Sequence, residues 1–240
     1  MVPVLLLAFI AASPSEQYNR GNAAYEAGDY ATAVVLYDSA AAQVTHADIL
    51  FNRGNARFKT GEVGRAIADY ARAHVIDPHD PDIRHNLEFA RAYRPDKVTV
   101  LPNPVIRLLA GVLRALSLGT ARVLTGCLFL AAAAALSWFL VRGSRAGLWF
   151  AVGAGALFLY ALASFASWAG EVNPARAVVV VPELALRSGP GDDYKDMLVV
   201  HDGLEVTVRQ HRGRFVLVQV PGGQGGWADS SAFERMFPPR

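Results

Sequence analysis

Histidine and cysteine often act as nucleophiles, proton carriers or metal ligands, but in this chain they are few and far apart. The six histidines are His46, His74, His79, His85, His201 and His211. The one cysteine, Cys127, lies in an apolar stretch, where a reactive thiolate is unfavourable. The sequence has no Gly-x-x-x-x-Gly-Lys loop, Gly-x-Ser-x-Gly elbow, His-Glu-x-x-His helix or paired cysteines. It therefore predicts a protein that is not an enzyme and has no cofactor or metal.

The most regular arrangement of polar side chains is a pentapeptide, Asn-Arg-Gly-Asn-Ala, which occurs at residues 19–23 and again at residues 52–56. The same 33-residue shift superposes Gly28 on Gly61 and Tyr37 on Tyr70. Repeats of this length are single supersecondary units that bury their apolar faces only by stacking on neighbours. They build extended concave surfaces, so the sequence favours binding over catalysis.

Helical spacing extends through both copies of this repeat. One helix is predicted near residues 16–27, and a second begins at Tyr30. The second unit repeats this pair and ends at Pro78, because proline cannot continue a helix. A last helix near residues 82–92 is predicted to cap the stack.

These spacings resemble the tetratricopeptide repeat over residues 15–94. The matching positions are Gly21, Gly54, Gly28, Gly61, Ala33, Ala40, Ala66, Ala73 and Pro78. The resemblance implies a helical solenoid with a concave wall of asparagine and aromatic residues. That wall would comprise Tyr18, Asn19, Asn22, Tyr25, Phe51, Asn52, Asn55, Phe58, His85, Asn86 and Phe89.

Such a wall suits an extended peptide, because asparagine both donates and accepts hydrogen bonds and aromatic rings supply apolar contact area. The alternative is that several of these asparagines only tie adjacent helices together. Some members of the family clamp a terminal carboxylate with basic side chains. Here Tyr18, Asp82 and Asn86 occupy the basic positions, so carboxylate clamping is not expected.

A membrane region explains the overall composition, in which 52% of residues are hydrophobic and only 18% are charged. Residues 123–141 and 147–169 are apolar runs long enough to cross a bilayer, and they predict a helical hairpin. A proline-containing linker precedes them at residues 95–104. Residues 105–118 are predicted to form a helix in the membrane interface, or one packed against the spans. The net charge of +2 gives no indication of a nucleic-acid partner.

The topology of the hairpin follows from its flanks. Residues 1–13 contain an apolar stretch of signal-peptide length, which predicts export; the alternative is a short buried helix of the repeat domain. Arg142 and Arg145 in the short turn favour a cytoplasmic turn, whereas the arginines of the other flank, Arg107, Arg114 and Arg122, favour the opposite orientation. The export signal therefore decides the topology and predicts a membrane protein with both polar domains extracytoplasmic.

The last segment changes to short β-branched runs separated by glycine, proline and aspartate turns, which predict a small all-β barrel. The runs are residues 177–181, 198–200, 205–209 and 215–220. Together with Gly-rich stretches after residue 184 and around Trp227, they resemble the bacterial SH3-type domain over residues 176–236. The resemblance implies an aromatic binding surface, for which Tyr194, Phe215 and Trp227 are the candidates; the alternative for Trp227 is a place in the core of the domain.

The complete order of segments resembles the BatE-type proteins of bacterial aerotolerance operons. It combines an export signal, tetratricopeptide units, a transmembrane hairpin and an SH3-type domain. That resemblance implies a membrane-anchored adaptor in an envelope stress complex. Its partners would be membrane proteins with von Willebrand A domains and, indirectly, a MoxR-type AAA ATPase. The alternative is an envelope sensor or anchor that binds peptidoglycan through the SH3-type domain.

Overall fold

The computed structural model describes residues 13–97 and 103–237. The predicted export signal, apart from residue 13, and the middle of the predicted linker lie outside these ranges. Across the described residues the chain forms eight α-helices, seven β-strands and one short 3-10 turn. The first five helices are α1 (Pro14–Glu26), α2 (Tyr30–Ala41), α3 (Ala47–Lys59), α4 (Val63–Ile76) and α5 (Pro81–Tyr93).

Helices α1 and α2 form the first repeat unit, α3 and α4 form the second, and α5 closes the stack. Each unit turns at a glycine with positive φ, Gly28 at 80° and Gly61 at 86°, a conformation that glycine adopts without steric cost. Within each unit a tyrosine ring covers a helical glycine. A Cβ atom on Gly21 would lie 2.6 Å from the ring of Tyr37, and one on Gly54 would lie 2.7 Å from Tyr70. The expected helical repeats are therefore present.

The predicted membrane region contains α6 (Pro104–Leu113), α7 (Leu118–Arg142) and α8 (Arg145–Ala169). By length and composition, α7 and α8 are long and apolar enough to cross a membrane. They form an antiparallel hairpin that turns at Gly143, and Gly147 packs closely on the backbone of Phe139. Helix α6 contacts α8, since the Tyr160 hydroxyl donates to the carbonyl of Val112 at 2.9 Å.

The C-terminal domain is a single antiparallel sheet with the strand order β3-β2-β6-β5-β4-β1-β7. Its strands are β1 (Arg176–Val179), β2 (Glu183–Arg187), β3 (Asp196–His201), β4 (Glu205–Arg212), β5 (Phe215–Gln219), β6 (Gly225–Asp229) and β7 (Phe233–Arg235). A β domain is thus present where one was expected. In the described part of the chain β3 and β7 are the sheet edges and do not pair with each other, so the sheet is open rather than a closed barrel.

The helical repeats and the β domain share one apolar core. Trp168, in the last turn of α8, is fully buried in it, and its indole nitrogen donates to the carbonyl of Leu116 at 3.0 Å. Val178 of β1 and Met236 near the chain end are also fully buried there. Their partners on α4 are Val63, Ala66, Ile67, Ala68, Tyr70, Ala71 and Val75. We call this contact of α4 with β1, β7 and Trp168 the docking interface.

Candidate functional site

The concave side of the repeats carries a ladder of four asparagines, Asn22, Asn52, Asn55 and Asn86. In the first unit the side-chain oxygen of Asn22 accepts hydrogen bonds from the Tyr37 hydroxyl at 2.7 Å and from the Asn52 amide at 3.2 Å. The Asn52 amide also donates to the Tyr18 hydroxyl at 2.9 Å. These bonds join α1, α2 and α3.

The second unit repeats the arrangement. The side-chain oxygen of Asn55 accepts from the Tyr70 hydroxyl at 2.8 Å and from the Asn86 amide at 2.8 Å. Burial raises the pKa of Tyr37 and of Tyr70 above the ordinary value, so both hydroxyls remain protonated donors. The ladder agrees with the alternative in which asparagines tie adjacent helices together.

The ladder uses only one polar atom of each amide. Among the described residues no hydrogen bond reaches Nδ2 of Asn22, Oδ1 of Asn52, Nδ2 of Asn55 or Oδ1 of Asn86. A bound chain would therefore meet donor and acceptor groups in alternation along the repeats. The two roles of asparagine, tying helices and offering groups to a ligand, are compatible.

Two adjoining pockets lie along this ladder, and together we call them the asparagine groove. The first, of about 240 Å³, is lined by Asn22, Tyr25, Glu26, Tyr37, Asn52 and Asn55. The second, of about 200 Å³, is lined by Tyr25, Asn55, Phe58, Lys59, Tyr70, Asn86 and Phe89. They share Tyr25 and Asn55, and neither is lined by a residue of the β domain.

An aromatic cluster on α3 and α5 ends the groove. The ring of Phe58 lies 5.6 Å from that of Phe89 and 5.3 Å from that of Tyr93, measured between ring centroids. Phe89 is 54% exposed and Tyr93 is 64% exposed, although both are large and stacked on each other. Such surface is available for contact with another molecule.

The remaining residues of the predicted wall differ in their surroundings. Tyr25 packs edge-on against Tyr30, with centroids 5.1 Å apart, and Phe51 lies 6.0 Å from the ring of Tyr70. Asn19 and His85 are exposed and line neither pocket. The structure thus brings seven of the eleven predicted wall residues into one groove, and Tyr18 and Phe51 also line neither of its two pockets.

The three aromatic candidates of the C-terminal domain lie apart from the groove. Trp227 is half-buried between the buried residues Gly226 and Ala228, so it points to the sheet face opposite the core. Phe215 lies beneath the guanidinium of Arg214, 4.9 Å from its ring centroid, and Tyr194 is exposed. These side chains lie on the outer surface of the domain.

Sequence reasoning missed a buried ion-pair network behind the groove. Asp69 of α4 is fully buried and accepts hydrogen bonds from Arg53 at 2.6 Å, from Arg57 at 2.9 Å and from Arg72 at 3.0 Å. Arg53 also binds Asp38 of the first unit at 2.8 Å. The network therefore links the two repeat units.

The network continues into the docking interface. Arg72 contacts Glu234 of β7 at 2.9 Å and donates to the carbonyl of Met236 at 2.7 Å. At the other end of the interface, Glu205 of β4 pairs with Arg91 and with Arg176, each at 2.6 Å. Burial raises the pKa of Glu205, but the charges and hydrogen bonds of the two arginines outweigh it, so the pKa lies below its ordinary value.

The cap of α4 also comes from the β domain. Glu62, the N-cap residue, accepts from the Arg65 side chain but makes no capping hydrogen bond to the helix backbone, whereas the carboxylate of Asp202 accepts from the backbone amide of Gly64 at 3.0 Å. A carboxylate at a helix N-terminus satisfies a free N–H group and complements the helix dipole. One signal of this was in the sequence: Glu62 is a weaker capping residue than Asp29, the equivalent residue of the first unit.

Two further observations limit the chemistry of the chain. Within residues 13–97 and 103–237, no three histidine, cysteine, aspartate or glutamate side chains gather into a metal-binding group. A family model of the tetratricopeptide repeat matches residues 18–81, which run from α1 into the start of α5. Tetratricopeptide repeats are non-catalytic modules of protein–protein interaction, which agrees with a role other than catalysis. No curated protein matches the chain.

Proposed function

We propose that this chain is a non-enzymatic membrane adaptor that recruits a protein partner by holding an extended segment of it in the asparagine groove. The observation that carries this proposal is the set of amide groups with no partner along the ladder. An extended backbone presents N–H and C=O groups in alternation, and the groove offers both complements. The docking interface occupies α4, so the groove remains open.

The proposed topology places both polar domains outside the cytoplasm. Because α7 and α8 form a hairpin, the segments before and after it emerge on one side, where the docking interface joins them. Arg142 and Arg145 lie in the turn on the opposite side and favour the cytoplasm. Reporter fusions after Lys97 and Arg240 should be active only with an extracytoplasmic reporter, and a fusion at Ser144 only with a cytoplasmic one. The reverse pattern would contradict this arrangement.

The nature of the partners is proposed from the order of segments, which resembles the BatE-type proteins. On that basis the C-terminal sheet acts as an SH3-type module, and the groove receives a membrane protein with a von Willebrand A domain. A MoxR-type AAA ATPase would act through that protein in an envelope stress-tolerance complex. Site-specific cross-linking from Tyr25 in intact cells, followed by mass spectrometry, tests this assignment. Exclusive recovery of unrelated proteins would contradict it.

The groove itself is tested with a variant that removes one free amide atom and keeps the hydrogen bonds of the ladder. In Asn55→Asp an oxygen remains for Tyr70 and Asn86, but the free Nδ2 donor is lost. Affinity for neutral peptides from a random twelve-residue array should fall by about 1 kcal/mol, the value of one hydrogen bond, while the unfolding free energy hardly changes. The full chain in lipid nanodiscs is the sample.

The matched control is Tyr70→Phe, which removes a ladder bond and leaves the free donor of Asn55 in place. This variant should lose about 1 kcal/mol of stability and keep its peptide affinity. If both variants change stability alike and neither changes peptide binding, the asparagines serve only the fold and the groove proposal is wrong.

The second candidate function is an anchor that holds peptidoglycan through the C-terminal domain. The observation that favours it is the outward position of Phe215 and Trp227 on the sheet and the exposure of Tyr194 in the loop before β3. Aromatic faces of this kind suit sugar rings as well as peptides. Saturable sedimentation with purified murein that is lost in Phe215→Ala would favour the anchor; sedimentation that does not depend on Phe215 would exclude this surface.

A further inference from the structure

The asparagine groove changes its chemical character from one end to the other. One position, four residues after the ladder asparagines Asn22 and Asn55, recurs at the end of each groove-lining helix. It holds Glu26 on α1 and Lys59 on α3, and the corresponding residue at the end of α5 is Tyr93. An anion, a cation and an aromatic ring therefore follow one another along the solenoid.

The fold accounts for only one of the two charges, since Lys59 in the last turn of α3 complements the helix dipole. Among the residues that the structure describes, neither Glu26 nor Lys59 has a hydrogen bond or an ion pair, although Glu26 lines the first pocket and Lys59 the second. Glu26 ends α1, where the helix dipole disfavours a negative charge. The stability of the helix therefore does not explain the glutamate.

The aromatic end is equally unexplained by the fold. Phe89 lies on α5 at the position that Asn22 has on α1 and Asn55 on α3. It stacks on Tyr93, and both rings are largely exposed. Phe58 supports both rings from α3. A single bulky apolar side chain of a ligand would cover this cluster at little cost in conformational entropy.

From this order we infer that the partner segment presents a basic, an acidic and a bulky apolar side chain in succession, facing Glu26, Lys59 and the Phe58–Phe89–Tyr93 cluster. Packed helices lie about 8–10 Å apart, a distance that a segment in the polyproline II conformation covers in about three residues, and its threefold period keeps side chains at this spacing on one face. The three side chains are therefore spaced by about three residues. The inference rests on the proposed function of the groove.

The test uses two ten-residue peptides with blocked ends and the full chain in nanodiscs. The matched peptide carries Lys, Glu and Phe at three-residue spacing, and the exchanged peptide has Lys and Glu swapped; both are made in both chain directions. Wild-type protein should bind the matched peptide about fivefold more tightly, the scale of a few exposed charge contacts. The double variant Glu26→Lys with Lys59→Glu should reverse this preference.

The aromatic cluster is tested with Phe89→Ala, which should weaken binding of both peptides about tenfold without altering the charge preference. Equal binding of the two peptides by wild type and by the double variant would overturn the charge order and leave the groove as a peptide site. If neither peptide binds in either direction, the inference is wrong, and the random array with Asn55→Asp decides separately whether the groove binds peptides.

Discussion

The two repeat units share the same pentapeptide but differ on the side away from the groove. Val35 of α2 is 63% exposed, whereas Ala68 at the equivalent position of α4 is fully buried in the docking interface. Arg20 of the first pentapeptide is exposed, and Arg53 of the second lies in the ion-pair network. The residues that the two units share thus determine how the units stack, and the residues that differ between them determine which unit docks on the β domain.

The helix caps show the same contrast. In the first unit Asp29 caps α2 by accepting from the backbone amide of Thr32 at 3.1 Å. In the second unit the equivalent Glu62 makes no such bond, and Asp202 of the β domain supplies it. In the first unit α2 is therefore capped by a residue of that unit, whereas in the second unit α4 is capped by a residue of the domain on which it docks.

The largest expected effect is at the centre of the network. Asp69→Asn leaves the buried Arg53 and Arg57 and the partly buried Arg72 beside a neutral group, and breaking a buried ion pair in this way costs about 3–5 kcal/mol. Pulse proteolysis of the full chain in urea measures the loss. Asp38→Asn, at the half-exposed end of the network in the first unit, should cost at most about 1 kcal/mol. Equal losses would show that the two units are equivalent.

A smaller effect is expected from Gly64→Ala in the first turn of α4. The added methyl group would meet the backbone carbonyl of Val179, which cannot move aside like a side chain, so about 1–3 kcal/mol should be lost. Amide hydrogen exchange should speed up in both α4 and β1.

The control uses the equivalent position of the first unit, where α2 already carries an alanine, Ala31, which is exposed. An alanine is therefore compatible with this position of the repeat itself. The reciprocal change Ala31→Gly should cost no more than about 1 kcal/mol, the difference in helix propensity, and should leave exchange in β1 unchanged. Unchanged exchange in Gly64→Ala as well would contradict the tight docking.

The docking interface should also weaken in acid, because the pKa of folded Glu205 lies below its ordinary value of 4.5. A carboxylate with a depressed pKa stabilises the fold above the unfolded pKa, and this contribution is lost as the pH falls through the folded pKa. Hydrogen exchange across β1 and α5 between pH 6 and pH 3 measures it. Glu205→Gln should remove much of this pH dependence. If the Glu205→Gln variant is as sensitive to acid as the wild type, other carboxylates account for that sensitivity.

The smallest effect is expected from Arg20→Ala. This arginine has no ion pair in the described structure, so its loss should change the unfolding free energy by less than about 0.5 kcal/mol. Arg53→Ala, at the same position of the second unit, should cost several times as much. Similar values for both variants would show that the network contributes little.

Much of the repeat architecture could be predicted from the sequence because its contacts lie a fixed distance apart. Gly21, Gly54, Tyr37 and Tyr70 recur at one spacing, and in the structure each tyrosine covers its glycine. The concave wall was predicted from the resemblance to the tetratricopeptide repeat. What it could not supply was the choice of polar atom in each amide, because that choice depends on which hydroxyl or neighbouring amide lies within hydrogen-bond distance.

The docking interface could not be predicted, because no periodic pattern marks it. Arg72 and Glu234, or Arg91 and Glu205, are distant in sequence and meet only when the spans and the sheet are in place. The predicted strand runs correspond to β1, β3, β4 and β5; β2 and β6 were not among these runs, and β7 was missed as well. It has only three residues and pairs with the first strand of the domain. Short edge strands carry too little alternation to be recognised.

The cap that Asp202 provides also has a consequence for biogenesis. Asp202 follows Gly64 by 138 residues, so both spans and much of the sheet are synthesised before α4 receives its cap. Contacts of such long sequence separation form late in folding. The first repeat unit supplies its own cap, because Asp29 caps α2 without any contribution from the β domain. During synthesis α4 therefore exposes its apolar face, and chaperones would be needed to protect it until the C-terminal domain arrives.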